Sequence, residues 1–172
     1  MDNAKIYVLM GVSGCGKSAV ATALAQQLNA ALLDGDFLHS RANIAKMASG
    51  QPLNDDDRAP WLAALNDAAF AMQRTNAVSL IVCSALKKAY RDRLRAGNPN
   101  LAFIFLDGEY DLIAERLRQR QGHFQKEGML TSQFATLERP DSSETDVHSV
   151  DITPPLADVV AAAKAIILAQ EK

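Results

Sequence analysis

The feature that most constrains this chain is the octapeptide Gly11-Val-Ser-Gly-Cys-Gly-Lys-Ser18, because of what stands on either side of it. Before it, Lys5-Ile-Tyr-Val-Leu-Met10 is a short, partly β-branched apolar run that reads as a buried strand entering a glycine turn. After it, Val20, Ala23, Leu24 and Leu28 recur at helical spacing. Strand, glycine-rich loop and helix form the context that G-x-x-x-x-G-K-S requires. The glycines let the backbone curl with its N–H groups inward, so that loop and helix N-terminus together hold a polyphosphate. In such a loop Lys17 spans the β- and γ-phosphates and the Ser18 hydroxyl holds Mg²⁺. The predicted nucleotide contacts are Gly11, Val12, Ser13, Gly14, Cys15, Gly16, Lys17 and Ser18, and the implied cofactors are ATP and Mg²⁺.

Further strands are expected at Ala31–Asp34, Val78–Cys83, Leu101–Leu106 and Val147–Val150. Between them, helices are expected over about Asp57–Arg74, Lys87–Ala96, Glu109–Arg120, a short stretch through Thr131–Leu137, and Leu156–Gln170 after Pro155. Residues 39 to 57 read as a short helix, a turn and a helix N-terminus. This alternation predicts an α/β fold: a parallel sheet of about five strands, right-handed crossovers, and helices on both faces. At 172 residues, one domain spanning 1–172 is expected.

The composition removes several classes of function. With 48% hydrophobic and 22% charged residues the chain is far from the signature of disorder. A net charge of −2 supplies no basic field for nucleic acid or anionic membrane. Two cysteines cannot frame a disulfide scaffold, and no run approaches the ~20 apolar residues of a membrane span. Met-Asp-Asn-Ala-Lys lacks the basic and apolar regions of a signal peptide. A cytoplasmic protein without nucleic-acid or membrane partners is expected.

Phosphate binding alone leaves several activities open. A switch GTPase or motor ATPase places an aspartate after an apolar strand, yet the third strand ends Val82-Cys-Ser-Ala85. Nor is there an Asn-Lys-x-Asp segment to read guanine. What fits is a small phosphotransferase whose acidic groups are Asp34 and Asp36, at the carboxyl end of the second strand, where ligands of open α/β sheets gather.

Beyond the loop, Asp34-Gly-Asp-Phe-Leu-His39, Lys46-Met-Ala-Ser-Gly50, Pro52-Leu-Asn-Asp-Asp-Asp-Arg58, Pro60-Trp61, Cys83-Ser-Ala-Leu-Lys-Lys88, Tyr90-Arg-Asp92 and Gly122-His-Phe124 follow in order. In combination they resemble the gluconate kinases, small P-loop relatives of shikimate and adenylate kinases. The resemblance covers most of residues 6 to 140. It implies a three-layer P-loop kinase fold with a substrate-binding insertion at about 39–75 and a lid at about 120–140. It implies ATP-dependent phosphorylation of the 6-hydroxyl of D-gluconate to 6-phospho-D-gluconate, in an enzyme that is commonly a homodimer.

Within that resemblance Asp36 is the expected base for the acceptor hydroxyl, and Asp34 faces magnesium through water or fixes the loop. His39 is a candidate ligand of a polyol hydroxyl, with Ser84 and His123 further substrate contacts. Arg58, Lys87 and Arg91 are candidates for the cation that meets the gluconate carboxylate, with Arg91 placed one helical turn beyond Lys87. Arg116 and Arg120, one turn apart before Gly122-His123, are expected to reach the transferring phosphate when the lid closes. Lys88 and Arg118 read as solvated, Trp61 as core, and Cys83 as inert packing. Two positions depart from the family pattern: Cys15 replaces a hydroxyl residue, and Ser40 follows His39 where proline is usual. A thiol beside Lys17 and inward-facing amides is expected to ionise more easily than a free cysteine and to be protected by ATP. Shikimate or nucleotide kinases, and a nucleotide-binding regulatory module without turnover, are the rival readings.

Overall fold

The computed structural model describes residues 4–119 and 126–170. Its strands are β1 (Lys5–Met10), β2 (Ala31–Asp34), β3 (Val78–Val82), β4 (Leu101–Asp107) and β5 (Val147–Asp151). The helices are α1 (Lys17–Leu28), α2 (Arg41–Ala48), α3 (Asp55–Thr75), α4 (Lys88–Arg95), α5 (Tyr110–Gln119), α6 (Lys126–Thr136) and α7 (Leu156–Gln170). All five strands are parallel, in the order β2-β3-β1-β4-β5. No helix among the described residues is long and apolar enough to cross a membrane.

Strand alternation divides the core in two. Tyr7, Leu9, Leu80, Val82, Ile104 and Leu106 pack with Val20 and Leu24 of α1 and Val160, Ala163 and Ile167 of α7. Ile6, Val8, Met10, Ile81, Phe103 and Phe105 meet Trp61, Leu62, Leu65 and Ala69 of α3 and Tyr90 and Leu94 of α4. Both faces of β1 are thus buried, which explains why its sequence is a continuous apolar run. Each such leucine or isoleucine stabilises the fold by about 1.5–3 kcal/mol.

Register then places the site. Leu9 lies opposite both Val82 and Ile104, so β1 and β3 end level, and the Gly11 N–H donates to the Ser84 carbonyl at 3.2 Å. The chain leaving β2 turns tightly through Gly35, where a Cβ would stand 2.6 Å from the Val82 carbonyl oxygen. Gly35 is therefore held against the end of β3, and Asp36 follows it into solvent at the same edge.

Helix ends follow local chemistry. α3 starts two residues earlier than its apolar periodicity predicts, because Asn54 and Asp57 form a reciprocal capping box and Asp55, Asp56 and Asp57 fill its first turn. α1 is the opposite case: Gly16, at φ 100°, caps it with no side chain, and no acidic residue stands in its first turn. Its orphan N–H donors are left for an anion. α2 buries only Asn43, whereas α3 buries Trp61, Leu62, Leu65 and Ala69, so the helical insertion is anchored through its second helix.

Candidate active site at the carboxyl edge of the sheet

The phosphate loop is shaped by left-handed or otherwise glycine-specific backbone at Gly11, Gly14 and Gly16, with φ of 143°, 83° and 100°. At Gly11 and Gly14 a side chain would also collide with Cys15 Sγ and Leu117, each 2.8 Å from the added carbon. Lys17 folds back over the loop: its Nζ donates to the carbonyls of Gly11 at 2.9 Å and Val12 at 3.0 Å. Its ammonium thereby sits over the loop that is to hold a polyphosphate. Ser18 is exposed beside it, at the start of α1.

Cys15 differs from expectation. It is 3% exposed, and burial raises its thiol above the ordinary value, outweighing the opposite pull of Lys17, whose Nζ is 3.9 Å from Sγ. A thiol so placed is a small packed group and a poor nucleophile. Cys83 is inert for the same reason, pushed up to about 12 by burial.

On the outer side of the loop, Gly14, Gly16, Val20, Ile152, Pro155 and Leu156 line a cavity of about 330 Å³. Its mixed apolar walls suit a planar base. Arg116 lies on its rim and donates to the Thr153 carbonyl at 3.1 Å. Arg116 thereby ties the rim of this cavity to the loop after β5. Arg120 and His123 lie outside the described residues.

The acceptor side is assembled from distant segments. Asp34 Oδ1 accepts the Asp36 N–H at 3.0 Å and so caps the turn that carries Asp36, whose carboxylate is exposed beyond the end of β2. Trp61 Nε1–H donates to the Gly35 carbonyl at 2.8 Å, and its ring stacks on His39 with centroids 4.2 Å apart. Trp61 is core, as expected, and also shapes the site.

Arg58, Lys87 and Tyr90 form a cationic corner. Lys87 Nζ and the Arg58 guanidinium lie 5.4 and 5.6 Å from the Tyr90 ring centroid, and Arg58 donates to Tyr90 Oη at 3.2 Å. Asp55 is their counterion, accepting from Tyr90 Oη at 2.5 Å and from Lys87 Nζ at 3.2 Å. The tyrosine hydroxyl, then Lys87, hold the Asp55 carboxyl below its ordinary range, and Asp55 in turn raises Lys87. Two of the three candidate cations are thus together, partly exposed, with Ser84 partly exposed after β3.

Arg91, the third, is a correction. It is fully buried, and all five of its N–H donors are used within the protein. Nε and Nη2 form a bidentate pair with Glu144 at 2.7 and 2.8 Å. Nη1 donates to the carbonyls of Ala85 and Leu86, and Nη2 also to that of Glu138. The spacing argument failed because Lys87 is the cap before α4, outside the helix, while Arg91 points inward from its first turn. Arg91 holds the loop after β3, including Ala85 at φ 47°, a conformation a non-glycine residue keeps only under outside constraint. It shapes the acceptor corner without facing it.

One contact has no sequence signal. The Ser13 N–H of the phosphate loop donates to Oε1 of Gln133, from α6, 120 residues away. The helix is tied at its other end, where Glu138 N–H donates to the Leu86 carbonyl and Glu138 Oε1 accepts from Lys88 N–H. Asn43, Asp55, Gln133 and Glu144 are the residues that sequence reasoning missed. Lys88 pairs with Asp92 on the surface, as expected.

A phosphate loop at the topological switch of a parallel sheet, faced by a strand-end carboxylate and a cationic corner, defines a P-loop phosphotransferase. The AAA domain family model matches residues 6–140. The thermoresistant gluconokinase of Escherichia coli (strain K12) is 71% identical, over 91% of this chain and 89% of that protein. The gluconokinase of Gluconobacter oxydans (strain 621H) is 44% identical, over 81% and 79%. A solved gluconokinase from Sinorhizobium meliloti 1021 superposes with a TM-score of 0.85 at 43% identity, covering 97% of this chain and 93% of that one. The chain belongs to the gluconokinase family.

Proposed function

We propose that this chain transfers the γ-phosphoryl group of ATP to the 6-hydroxyl of D-gluconate, giving 6-phospho-D-gluconate and ADP. The observation that carries the reading is the meeting, on one sheet edge, of the Lys17 loop, the exposed Asp36 carboxylate and the Arg58/Lys87 corner. A sugar acid needs those three things: a phosphoryl donor site, a base, and a fixed positive charge for its carboxylate.

The base of ATP enters the cavity beside Arg116, and its phosphates take up the loop amides and Lys17. Magnesium fits the chemistry present: the exposed Ser18 would offer a hydroxyl and Asp34 a carboxylate acting through water, both the hard oxygen donors this ion takes. Its contribution when bound would be to neutralise phosphate charge. Asp36 orients the 6-hydroxyl and accepts its proton as the oxygen attacks phosphorus. Arg58 or Lys87 binds the carboxylate at the far end, with His39 and Ser84 on intervening hydroxyls. Residues 120–140 close as a lid, bringing Arg120 to the transferring phosphate and His123 to the acceptor, and excluding water. We assign the protein to the cytoplasm, as a homodimer.

ADP release measured with Mg²⁺-ATP across gluconate, idonate, shikimate and nucleoside monophosphates tests this. Gluconate-dependent release is expected. Release with a nucleotide or shikimate alone would overturn the substrate, and no acceptor-dependent release would overturn the enzyme.

A further inference from the structure

The acceptor side contains a histidine whose proton is placed by its neighbours. His39 lies face to face with Trp61, centroids 4.2 Å apart and planes 16° from parallel. Trp61 is itself fixed by its bond to the Gly35 carbonyl, so the imidazole plane is set. At the ring edge, Asn43 Nδ2 stands 3.3 Å from His39 Nδ1 and 2.9 Å from the Asp57 carbonyl oxygen. Asn43 is 6% exposed, and its backbone N–H is bonded to Ser40 Oγ at 3.1 Å, so it has little freedom to turn.

Those contacts determine a tautomer. A backbone carbonyl only accepts, so the amide atom facing Asp57 must be the nitrogen; the flipped amide would set two oxygens together. One Asn43 hydrogen goes to Asp57 and the other faces His39 Nδ1, which must then present its lone pair. The imidazole proton is left on Nε2. A doubly protonated ring would turn Nδ1–H against the amide N–H. The charged groups acting on His39 are Asp36, which favours protonation, and Arg58, which opposes it, while burial of the ring opposes it most. The Asp57 carboxylate is engaged by Lys46 at 2.6 Å.

We infer that Asn43 is a positioning residue that holds His39 as the neutral Nε2–H tautomer, so that His39 meets the acceptor substrate as a hydrogen-bond donor and never as its base. The inference rests on the sugar-acid kinase reading for the identity of that substrate. A ring with Nδ1 occupied and Nε2 protonated has no lone pair left for a hydroxyl proton, which removes His39 as the base and is consistent with that role for Asp36. It also makes the position selective: the substrate must offer an oxygen lone pair to Nε2–H, and a deoxy analogue would leave that donor unmet.

The test is a multiple-bond ¹H–¹⁵N spectrum of the imidazoles in the full chain, with His39→Asn assigning the resonance among the three histidines. The wild type is expected to show Nε2–H alone, protonating only below the ordinary value of 6.5. Asn43→Leu is expected to populate both tautomers and to move the titration up toward that value. It should also lower kcat/KM for gluconate by about 3- to 30-fold, the worth of one to two hydrogen bonds, with KM for ATP unchanged. An Nδ1–H ring or a tautomer mixture in the wild type overturns the inference whatever the variant does. So does an Asn43→Leu enzyme that keeps both the Nε2–H ring and full kcat/KM for gluconate. Absence of gluconate turnover in a wild type whose ring is Nε2–H would overturn the substrate reading, a failure distinct from that of the tautomer lock.

Discussion

The donor and acceptor halves of the site are built on opposite plans. The donor half is eight consecutive residues whose functional atoms are mostly backbone N–H groups, shaped by three glycines and one helix terminus. The acceptor half draws on β2, α2, α3, β3 and α4, and its groups are side chains held by other side chains: Trp61 on His39, Asn43 between His39 and Asp57, Asp55 between Lys87 and Tyr90. A backbone site tolerates exchange of most side chains around it, as Cys15 illustrates. A side-chain site fails through its supports as well as its contacts.

The largest expected effect lies where the halves meet. Asp36→Asn keeps size and hydrogen bonding but removes the base, so kcat should fall by about 10²- to 10⁴-fold with KM for ATP little changed. Steady-state kinetics in both substrates check this. Near-normal kcat would mean that proton transfer is carried elsewhere, and would break the division of labour between the halves.

Next come the supports of the acceptor half. Removing either member of the buried Arg91–Glu144 pair leaves an uncompensated charge, so Arg91→Ala or Glu144→Ala should cost about 3–5 kcal/mol in denaturant unfolding. The pair also sets an acid limit. Arg91 first of all holds the Glu144 carboxyl below its ordinary 4.5. A depressed carboxyl contributes stability that is complete above its unfolded value and is lost as pH falls through the folded one. Unfolding should therefore become easier below about pH 4.5, and Glu144→Gln should be less stable at neutral pH but flatter over that range. Equal acid slopes in wild type and Glu144→Gln would refute this.

The same contrast explains what the sequence disclosed. Local patterns were legible: β1 and the phosphate loop came from an apolar run meeting glycines, and α7 from Pro155 and the spacing of Val159, Val160, Ala163 and Ile167. The N-terminus of α3 is legible in the run Asn54 to Asp57, and only its first residue is displaced, from Asp57 to Asp55. Asp36, Arg58 and Lys87 were reached through strand order and family resemblance, and they stand on one edge. Arg91 was misread because its partner lies 53 residues away, where no periodicity connects them. Gln133 was invisible because its contact with Ser13 exists only after the whole sheet has formed.

Gln133 gives a smaller effect that sharpens the comparison, being a side chain of α6 that enters the backbone half. Its Oε1 holds the Ser13 N–H, one of the loop's donors, and must give it up if a phosphate oxygen is to take it. A neutral hydrogen bond contributes about 0.5–1.5 kcal/mol net, so Gln133→Ala should lower Kd for ATP by about 2- to 13-fold. Gln133→Glu should raise it, since a carboxylate competes for the same donor and repels the phosphates. Titration calorimetry with both variants decides. Weaker binding by Gln133→Ala would show that Gln133 assists the nucleotide instead of competing with it.

The smallest effect is expected at Cys15, and it tests whether the donor half is truly indifferent to its side chains. The thiol is 3% exposed, and its Sγ packs where Gly11 would carry a Cβ. Burial raises its pKa and outweighs Lys17, so little thiolate exists near neutral pH, and although the residue borders the cavity beside the loop its side chain is almost wholly covered. Iodoacetamide should therefore label Cys15 far more slowly in the folded protein than in denaturant, and equally slowly with and without ATP. Cys15→Ser should change KM for ATP by less than about twofold, because the loop amides, and not this side chain, face the phosphates. Rapid labelling that ATP suppresses would mean that the loop opens and exposes the sulfur. In that case the backbone half would depend on a side chain after all, and the contrast with the acceptor half would be one of degree.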